Sequence, residues 1–205
     1  MSNFIVCVYA TKDTPYVQVA ESTILPSMKA IDGLRFSYSV VPNLGSWQKN
    51  TSYKATFALE MLVKYPSSNI VLLDVDCKIN NYPSLFDNIP EQYNVAAHVL
   101  DWATWYNRPG ETTKEILSGT LFLRNNDRTK YLVQRWEEAN NTYPNSWEQR
   151  NLAVILFHHK EQILNLPIEY CYINSMPDGS QPTVKVENPV IVHFQKSREL
   201  KRQIQ

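Results

Sequence analysis

Glycine is scarce in this chain, with five residues in a length of 205. Neither a Gly-x-Gly-x-x-Gly fingerprint nor a P-loop sequence occurs. The two common glycine-rich loops that bind phosphate through backbone N–H groups are therefore missing. A ligand that carries phosphate would have to be held by side chains or by a metal ion.

Cysteine is scarce as well. The chain has Cys7, Cys77 and Cys171, an odd number at wide spacing with no Cys-x-x-Cys pair. This pattern argues against a disulfide framework and against a structural zinc site. We expect buried free thiols, because an unpaired cysteine usually packs as a small apolar side chain.

The sequence also lacks a net charge and a long apolar run. Twenty basic residues balance twenty acidic ones, so no overall field favours a polyanion or an anionic membrane. No apolar run is long enough to span a bilayer. The apolar segment at residues 4–10 has no basic run before it and no small-residue cleavage site after it, unlike a secretion signal. We expect a cytoplasmic protein without a membrane span.

Apolar runs alternate with helical periodicities along the first half of the chain. The predicted strands are residues 4–9, 36–41 and 70–73, and the predicted helices are a segment that ends near Pro26 and residues 52–65. This alternation predicts an α/β fold, with a mostly parallel central sheet flanked by helices. The length suits a single domain over residues 1–205. The ligand site of such a sheet lies at the carboxyl ends of its strands.

The second half continues with strands and helices. Strands are predicted at residues 93–97, 119–123, 169–172 and 190–192, and helices at residues 127–140 and 146–157. Ser146 and Gln149 have the spacing of a capping box at the start of the last helix. The polar and aromatic segment between residues 97 and 119 fits neither element, and we expect a long functional loop there.

Two carboxylates follow the short apolar strand at residues 70–73. Asp74 and Asp76 are two residues apart where this strand leaves the sheet, so both side chains can point to the same side. Paired carboxylates at such a place bind a hard divalent cation, which would share the oxygens of a nucleotide diphosphate. The alternative is that Asp74 ends the strand and Asp76 begins a turn, two places where aspartate is common.

Other polar residues fall near the same predicted sheet edge. His193 ends an apolar strand and is a candidate third metal ligand. Lys54 lies near the start of a predicted helix, where a cation is unfavourable unless an anion is close, which favours contact with a phosphate or another part of a bound ligand. Lys196 either pairs with a diphosphate or is a solvated lysine.

Three further residues are candidates for catalysis. Glu148 and Gln149 either face the reacting atoms of a bound substrate or only occupy the first turn of a helix, where a cap would explain Gln149. Asp101 lies in the aromatic segment with Trp102 and Trp105. Aromatic faces there would stack on a sugar, and the carboxylate would accept hydrogen bonds from hydroxyls. The alternative is a loop that packs on its own aromatic residues.

Several short motifs resemble those of GT-A nucleotide-sugar transferases, and their order is that of the retaining families. The matching segments are Ala10-Thr11, Lys54, Leu72-Leu73-Asp74-Val75-Asp76, Ser118-Gly119-Thr120, Trp147-Glu148-Gln149 and Val192-His193-Phe194-Gln195-Lys196. The resemblance implies that Asp74, Asp76 and His193 bind Mn²⁺ or Mg²⁺. It also implies donor binding by Ala10, Thr11, Lys54, Asp74, Ser118, Gly119 and Lys196.

The chain departs from that family pattern at two places. Many of these enzymes have Asp-Gln where this chain has Glu148-Gln149, and the glycine expected between the late histidine and lysine is absent. The resemblance therefore defines the fold more firmly than the subfamily.

The sequence as a whole predicts a metal-dependent glycosyltransferase. It would move a sugar from a UDP- or GDP-sugar to a hydroxyl of a glycan, lipid, protein or modified base, with retention, using Glu148, Gln149 and Asp101 in catalysis. The alternatives are a haloacid-dehalogenase-like phosphohydrolase, a non-catalytic nucleotide-sugar binding module and a nucleotidyltransferase. The phosphohydrolase is disfavoured because the Asp-x-Asp motif comes late in the chain and no second acidic pair completes its metal site.

Overall fold

The structure is a computed structural model that describes residues 2–204. Its centre is a six-stranded sheet in the order β2-β1-β3-β6-β5-β7. The strands of this sheet are β1 (Phe4–Thr11), β2 (Phe36–Val41), β3 (Asn69–Leu73), β5 (Val95–Asp101), β6 (Lys114–Leu123) and β7 (Ile163–Asn165). The pairs β1–β2, β1–β3 and β5–β7 are parallel, and β6 runs antiparallel to both of its neighbours. The predicted α/β fold with a mostly parallel sheet is confirmed.

Both faces of this sheet are buried. Along β1, Phe4, Val6 and Val8 pack into one apolar cluster, whereas Ile5 and Cys7 pack into another. Alternation of side chains across a strand produces this division, and burial on both faces explains why the strand is apolar throughout.

Helices cover the two faces. On one side lie α1 (Pro15–Ser22) and α2 (Ile24–Ala30), and on the other lie α3 (Trp47–Lys64), α5 (Asp127–Thr142) and α6 (Glu148–His158). The remaining helices are the short α4 (Trp102–Trp105) and α7 (Ser197–Leu200), with 3₁₀ turns at Ser84–Asn88, Ile168–Tyr170 and Lys201–Gln203. Within residues 2–204, no helix combines the length and apolar character needed to cross a membrane.

A second, three-stranded sheet lies next to the carboxyl end of β3. It has the order β4-β9-β8, with β4 (Cys77–Ile79), β9 (Ile191–His193) and β8 (Tyr172–Ile173). Cys77 pairs with His193, and the N–H of Phe194 donates to the carbonyl of Asp76 at 2.9 Å. This sheet therefore brings a residue from the end of the chain beside the Asp-x-Asp motif.

The prediction of an irregular loop between residues 97 and 119 is wrong for most of that segment, where strand β5, helix α4 and strand β6 lie. Strand β5 continues to Asp101 and β6 begins at Lys114, and these two residues pair with each other. The register shifts between Ala97 and Val99. A bulge of this kind interrupts the alternation of side chains, which is why the periodicity did not reveal the strands.

Three other boundaries also differ. Helix α3 begins at Trp47 rather than at residue 52, because Ser46 caps it by accepting a hydrogen bond from the Lys49 N–H at 3.3 Å. The residues predicted as a strand at 169–172 form a 3₁₀ turn and then β8. The predicted capping box is wrong, because Trp147 occupies the N-cap of α6 without a side-chain hydrogen bond.

Candidate active site

A cleft of about 510 Å³ opens where β1, β3 and β6 approach the starts of α3 and α6. It brings together most of the candidates that were proposed from the sequence. These lining residues are Ala10, Thr11, Lys54, Asp74, Asp76, Ser118, Gly119, Glu148, Gln149 and His193. The cleft therefore collects residues from both halves of the chain, as expected for an α/β sheet that binds a ligand at its strand ends.

Asp74, Asp76 and His193 form one cluster. Each offers one ligand atom, and these atoms all lie within 4.8 Å of one another. The Lys196 N–H donates to Asp76 Oδ2 at 2.6 Å, and His193 Nε2 lies 2.8 Å from Thr120 Oγ1. When Nε2 carries the proton and donates it to the hydroxyl, Nδ1 is left as a free acceptor, which is the form that binds a metal.

Gly119 packs against this cluster without space for a side chain. A Cβ at this position would lie 2.9 Å from His193 Cε1 and 3.1 Å from both His193 Nδ1 and Asp74 Oδ2. The glycine thus allows the imidazole and the carboxylate to approach the same point. This contact explains why the strand has glycine here, between Ser118 and Thr120.

Lys54 connects the acidic pair to the start of α6. Its Nζ lies 2.7 Å from Asp74 Oδ1 and 3.1 Å from Glu148 Oε1, and it donates to the carbonyl of Ser118 at 3.3 Å. Burial disfavours the charged amine, but the two carboxylates outweigh this and raise the pKa of Lys54 above its usual value. Lys54 is therefore a buried cation that neutralises neighbouring carboxylates, and it lies in the second turn of α3 rather than at its start.

Glu148 is a buried acid with one oxygen in use. Its Oε1 accepts from Ser118 Oγ at 2.8 Å and faces Lys54, whereas Oε2 has no hydrogen-bond partner among the described residues. Burial raises the pKa of Glu148, and Lys54 opposes this rise. Glu148 lines the cleft, but this second oxygen is itself buried, so the carboxylate as it stands is held against Lys54 and Ser118.

Comparison with known proteins identifies the family. Residues 47–204 match the family model described as nucleotide-diphospho-sugar transferase. The chain belongs to this family. It is accordingly a glycosyltransferase, which favours sugar transfer over the phosphohydrolase, nucleotidyltransferase and binding-module alternatives. No curated protein matches the chain by sequence.

Solved structures share the fold. One is a glycosyltransferase involved in the glycosylation of the major capsid of PBCV-1, with 17% identity, a TM-score of 0.62 and 95% of each chain covered. Another is the apo form of mouse xyloside xylosyltransferase 1, with 13% identity, a TM-score of 0.60, 96% of this chain and 99% of that chain covered. At these identities the likeness establishes the GT-A type of fold.

Burial and neighbouring charge shift the pKa values of two residues in the cluster, Asp76 and His193. Burial and the charge of Asp74 raise the pKa of Asp76 to about 6. Burial lowers the pKa of His193 to about 4. The imidazole is therefore neutral at neutral pH, as a metal ligand must be.

Asp101 does not join the other candidates. It caps α4 by accepting from the Thr104 N–H at 3.1 Å, and its Oδ2 lies 4.0 Å from Lys114 Nζ. It is not among the residues that line the cleft. The structure therefore places this carboxylate at the turn from β5 into α4.

Lys196 contacts the Asp74, Asp76 and His193 cluster through its backbone N–H rather than through its side chain. Its N–H holds Asp76, whereas its Nζ lies 3.2 Å from Glu199 Oε2 and does not line the cleft. Arg198 and Lys201, which were not candidates in the sequence analysis, do line it. The short helix α7 and the 3₁₀ turn that follows it bring Arg198 and Lys201 to the cleft.

The role of Gln149 also differs from the expected cap. Its Oε1 accepts from the Ser118 N–H at 2.8 Å, and its Nε2 donates to Glu115 Oε1 at 2.7 Å. Glu115 was missed because it lay in the segment predicted to be irregular. Once β6 is known to begin at Lys114, its position on a strand beside the cleft is evident.

Proposed function

We propose that this glycosyltransferase moves a sugar from a UDP- or GDP-sugar to a hydroxyl acceptor in a reaction that depends on Mn²⁺ or Mg²⁺. The observation that carries the proposal is the convergence of Asp74, Asp76 and His193 on one point beside Gly119. The acceptor hydroxyl would belong to a glycan, a lipid, a protein or a modified base.

The residues of the cluster fit such a cation. Two carboxylates and a neutral imidazole are a donor set that suits Mn²⁺, and carboxylate oxygens suit Mg²⁺ as well. Gly119 keeps the approach to Asp74 and His193 clear. When bound, the cation would offset the negative charge that develops on the departing diphosphate.

The donor would extend from β1 across the cluster. Ala10 and Thr11 end β1 at one side of the cleft, where the nucleoside would lie. Arg198 and Lys201 line the cleft and would attract the phosphates, a role that replaces the one expected of the Lys196 side chain. Lys54 would hold Asp74 in place through their 2.7 Å contact.

The positions of the acidic residues in the cleft favour a reaction that retains the configuration of the donor's anomeric carbon. Among residues 2–204, four carboxylates line the cleft, at Asp74, Asp76, Glu115 and Glu148. The first two are assigned to the cation, both oxygens of Glu115 accept hydrogen bonds, and Glu148 is buried against Lys54. None of the four is left to deprotonate an acceptor hydroxyl, as an inverting enzyme requires. We propose that the departing phosphate accepts that proton and that Glu148 and Gln149 contact the donor sugar.

A binding measurement tests the donor and the cation together. Melting temperatures would be recorded with a panel of UDP- and GDP-sugars, with and without Mn²⁺. At a ligand concentration a hundredfold above Kd, binding stabilises the native state by about 2.7 kcal/mol, or roughly 5–10 °C for a chain of this length. We expect one donor class to give this shift only when Mn²⁺ is present. Equal shifts in excess chelator would contradict metal dependence.

Replacing Gly119 tests the geometry of the cluster. In Gly119→Ala the new methyl group would press on His193 and Asp74, so we expect affinity for Mn²⁺ to fall about 10- to 100-fold, as when the surroundings of a metal ligand are disturbed. Calorimetric titration measures the affinity, and the melting temperature without metal shows whether the fold is kept. An unchanged affinity would place the ion elsewhere.

Product analysis tests the stereochemistry. An α-linked donor should give an α-linked product, because each carboxylate among the described lining residues is already engaged by the cation, by Lys54 or by hydrogen bonds. Proton NMR of the first-formed glycoside distinguishes the two anomers by their coupling constants. A β-linked product would show inversion and would remove Glu148 and Gln149 from their proposed roles.

A further inference from the structure

A chain of hydrogen bonds runs along the wall of the cleft. Trp102 Nε1 donates to Glu115 Oε2 at 3.0 Å, and Gln149 Nε2 donates to Glu115 Oε1 at 2.7 Å. Gln149 Oε1 in turn accepts from the Ser118 N–H at 2.8 Å. Trp102, Glu115, Ser118 and Gln149 all line the cleft, and they come from α4, β6 and the first turn of α6.

The hydrogen-bond donors and acceptors of this network fit together in only one arrangement. Trp102 Nε1 and the Ser118 N–H are fixed donors, so the group between Trp102 and Gln149 must accept at both ends. An ionised carboxylate does this. The Glu115 carboxylate also fixes the orientation of the Gln149 side-chain amide. A reversed amide would place the Gln149 oxygen against the Glu115 carboxylate and the Gln149 NH₂ group against the Ser118 N–H.

We infer that Glu115 is a positioning residue for sugar transfer, which acts by holding the Gln149 amide and the Trp102 indole in one arrangement. The inference rests on the proposed function, in which Gln149 contacts the donor sugar. Among the described residues, the Glu115 carboxylate accepts hydrogen bonds from Trp102 and Gln149 and is not part of the Asp74, Asp76 and His193 cluster. Its loss should therefore change the turnover of bound substrate and leave the affinity for the cation as it is.

The test is Glu115→Gln, which keeps the shape of the side chain and removes one acceptor. A glutamine there can accept from Trp102 or from Gln149, but its NH₂ group must face the other donor. We expect kcat to fall about 10- to 100-fold, the size that follows from a displaced catalytic group. The affinity for Mn²⁺ should stay within about twofold. Glu91→Gln, an exposed residue outside the cleft, is the charge-matched control.

A second substitution separates geometry from charge. In a Trp102→Phe background the indole donor is gone, so a glutamine at position 115 can turn its oxygen to Gln149 without facing a second donor. We expect Glu115→Gln to lower kcat far less in this background than in the wild type, although the same charge is removed. An equal loss in both backgrounds would overturn the positioning role.

A spectroscopic readout keeps this test separate from the proposed function. In ¹H–¹⁵N spectra the side-chain amide of Gln149 should shift in Glu115→Gln, and the shift should be largely reversed when Trp102→Phe is added. An unmoved Gln149 signal overturns the inference even if sugar is transferred. If the wild type transfers no sugar and binds no donor, the proposed function fails, whereas the NMR result still decides whether Glu115 orients Gln149.

Discussion

Asp76→Asn is expected to lower the rate of sugar transfer by about three orders of magnitude while the fold is retained. Loss of metal-borne charge stabilisation amounts to several kcal/mol in the transition state, and about 4 kcal/mol corresponds to a thousandfold. The amide oxygen of asparagine can still accept from the Lys196 N–H, which Asp76 Oδ2 now does at 2.6 Å. The local backbone should therefore keep its position.

Steady-state rates with a saturating donor and Mn²⁺ measure this effect. Asp32→Asn is the matched control, because that residue is exposed and does not line the cleft. It should transfer sugar at the wild-type rate. The melting temperature of Asp76→Asn without metal should stay within a few degrees of the wild type, whereas the additional shift caused by Mn²⁺ should disappear. A wild-type rate in Asp76→Asn would refute the role of this carboxylate.

Lys54→Met is expected to have the largest effect on stability. Removing one partner of a buried ion pair leaves an uncompensated charge and costs about 3–5 kcal/mol. We expect a cost near 3 kcal/mol, the lower end of this range. Glu148 is buried, but the Asp74 side chain is 35% exposed, so water partly screens its charge. A loss of about 3 kcal/mol lowers Tm by about 10 °C in a chain of this length.

Thermal unfolding of three variants checks this prediction. Lys49→Met, at an exposed position in the first turn of the same helix, removes the same charge and should change Tm by no more than about 2 °C. Lys54→Met combined with Glu148→Gln should be more stable than the two single effects summed, since no buried carboxylate remains unpaired. If Lys54→Met unfolds at the wild-type temperature, Lys54 does not stabilise the site as described.

The first half of the fold was largely predictable from the sequence. Strand β3 is four apolar residues after Asn69, with polar residues on both sides, and burial on both faces of the sheet requires such a run. The Asp74 and Asp76 pair follows directly, so its place at the strand end was also predictable. His193 was predicted at the same edge because an apolar strand ends there.

The second half was harder to predict for physical reasons. Strand β7 has three residues, too few for a periodicity to appear, and it was not predicted. Strand β8 has two residues and was predicted too early, at residues 169–172. The bulge in β5 concealed the pairing of Asp101 with Lys114. Local propensity favoured Gln149 as a helix cap, whereas tertiary contacts with Ser118 and Glu115 use its amide instead.

The most direct test of the proposed metal centre is anomalous scattering from crystals soaked with Mn²⁺ and a nucleoside diphosphate. We predict a single strong manganese peak within about 2.5 Å of a carboxylate oxygen of Asp76 and of His193 Nδ1, next to Gly119 and the diphosphate. No peak at this place in crystals that hold the nucleotide, or a peak held by other residues, would contradict the account.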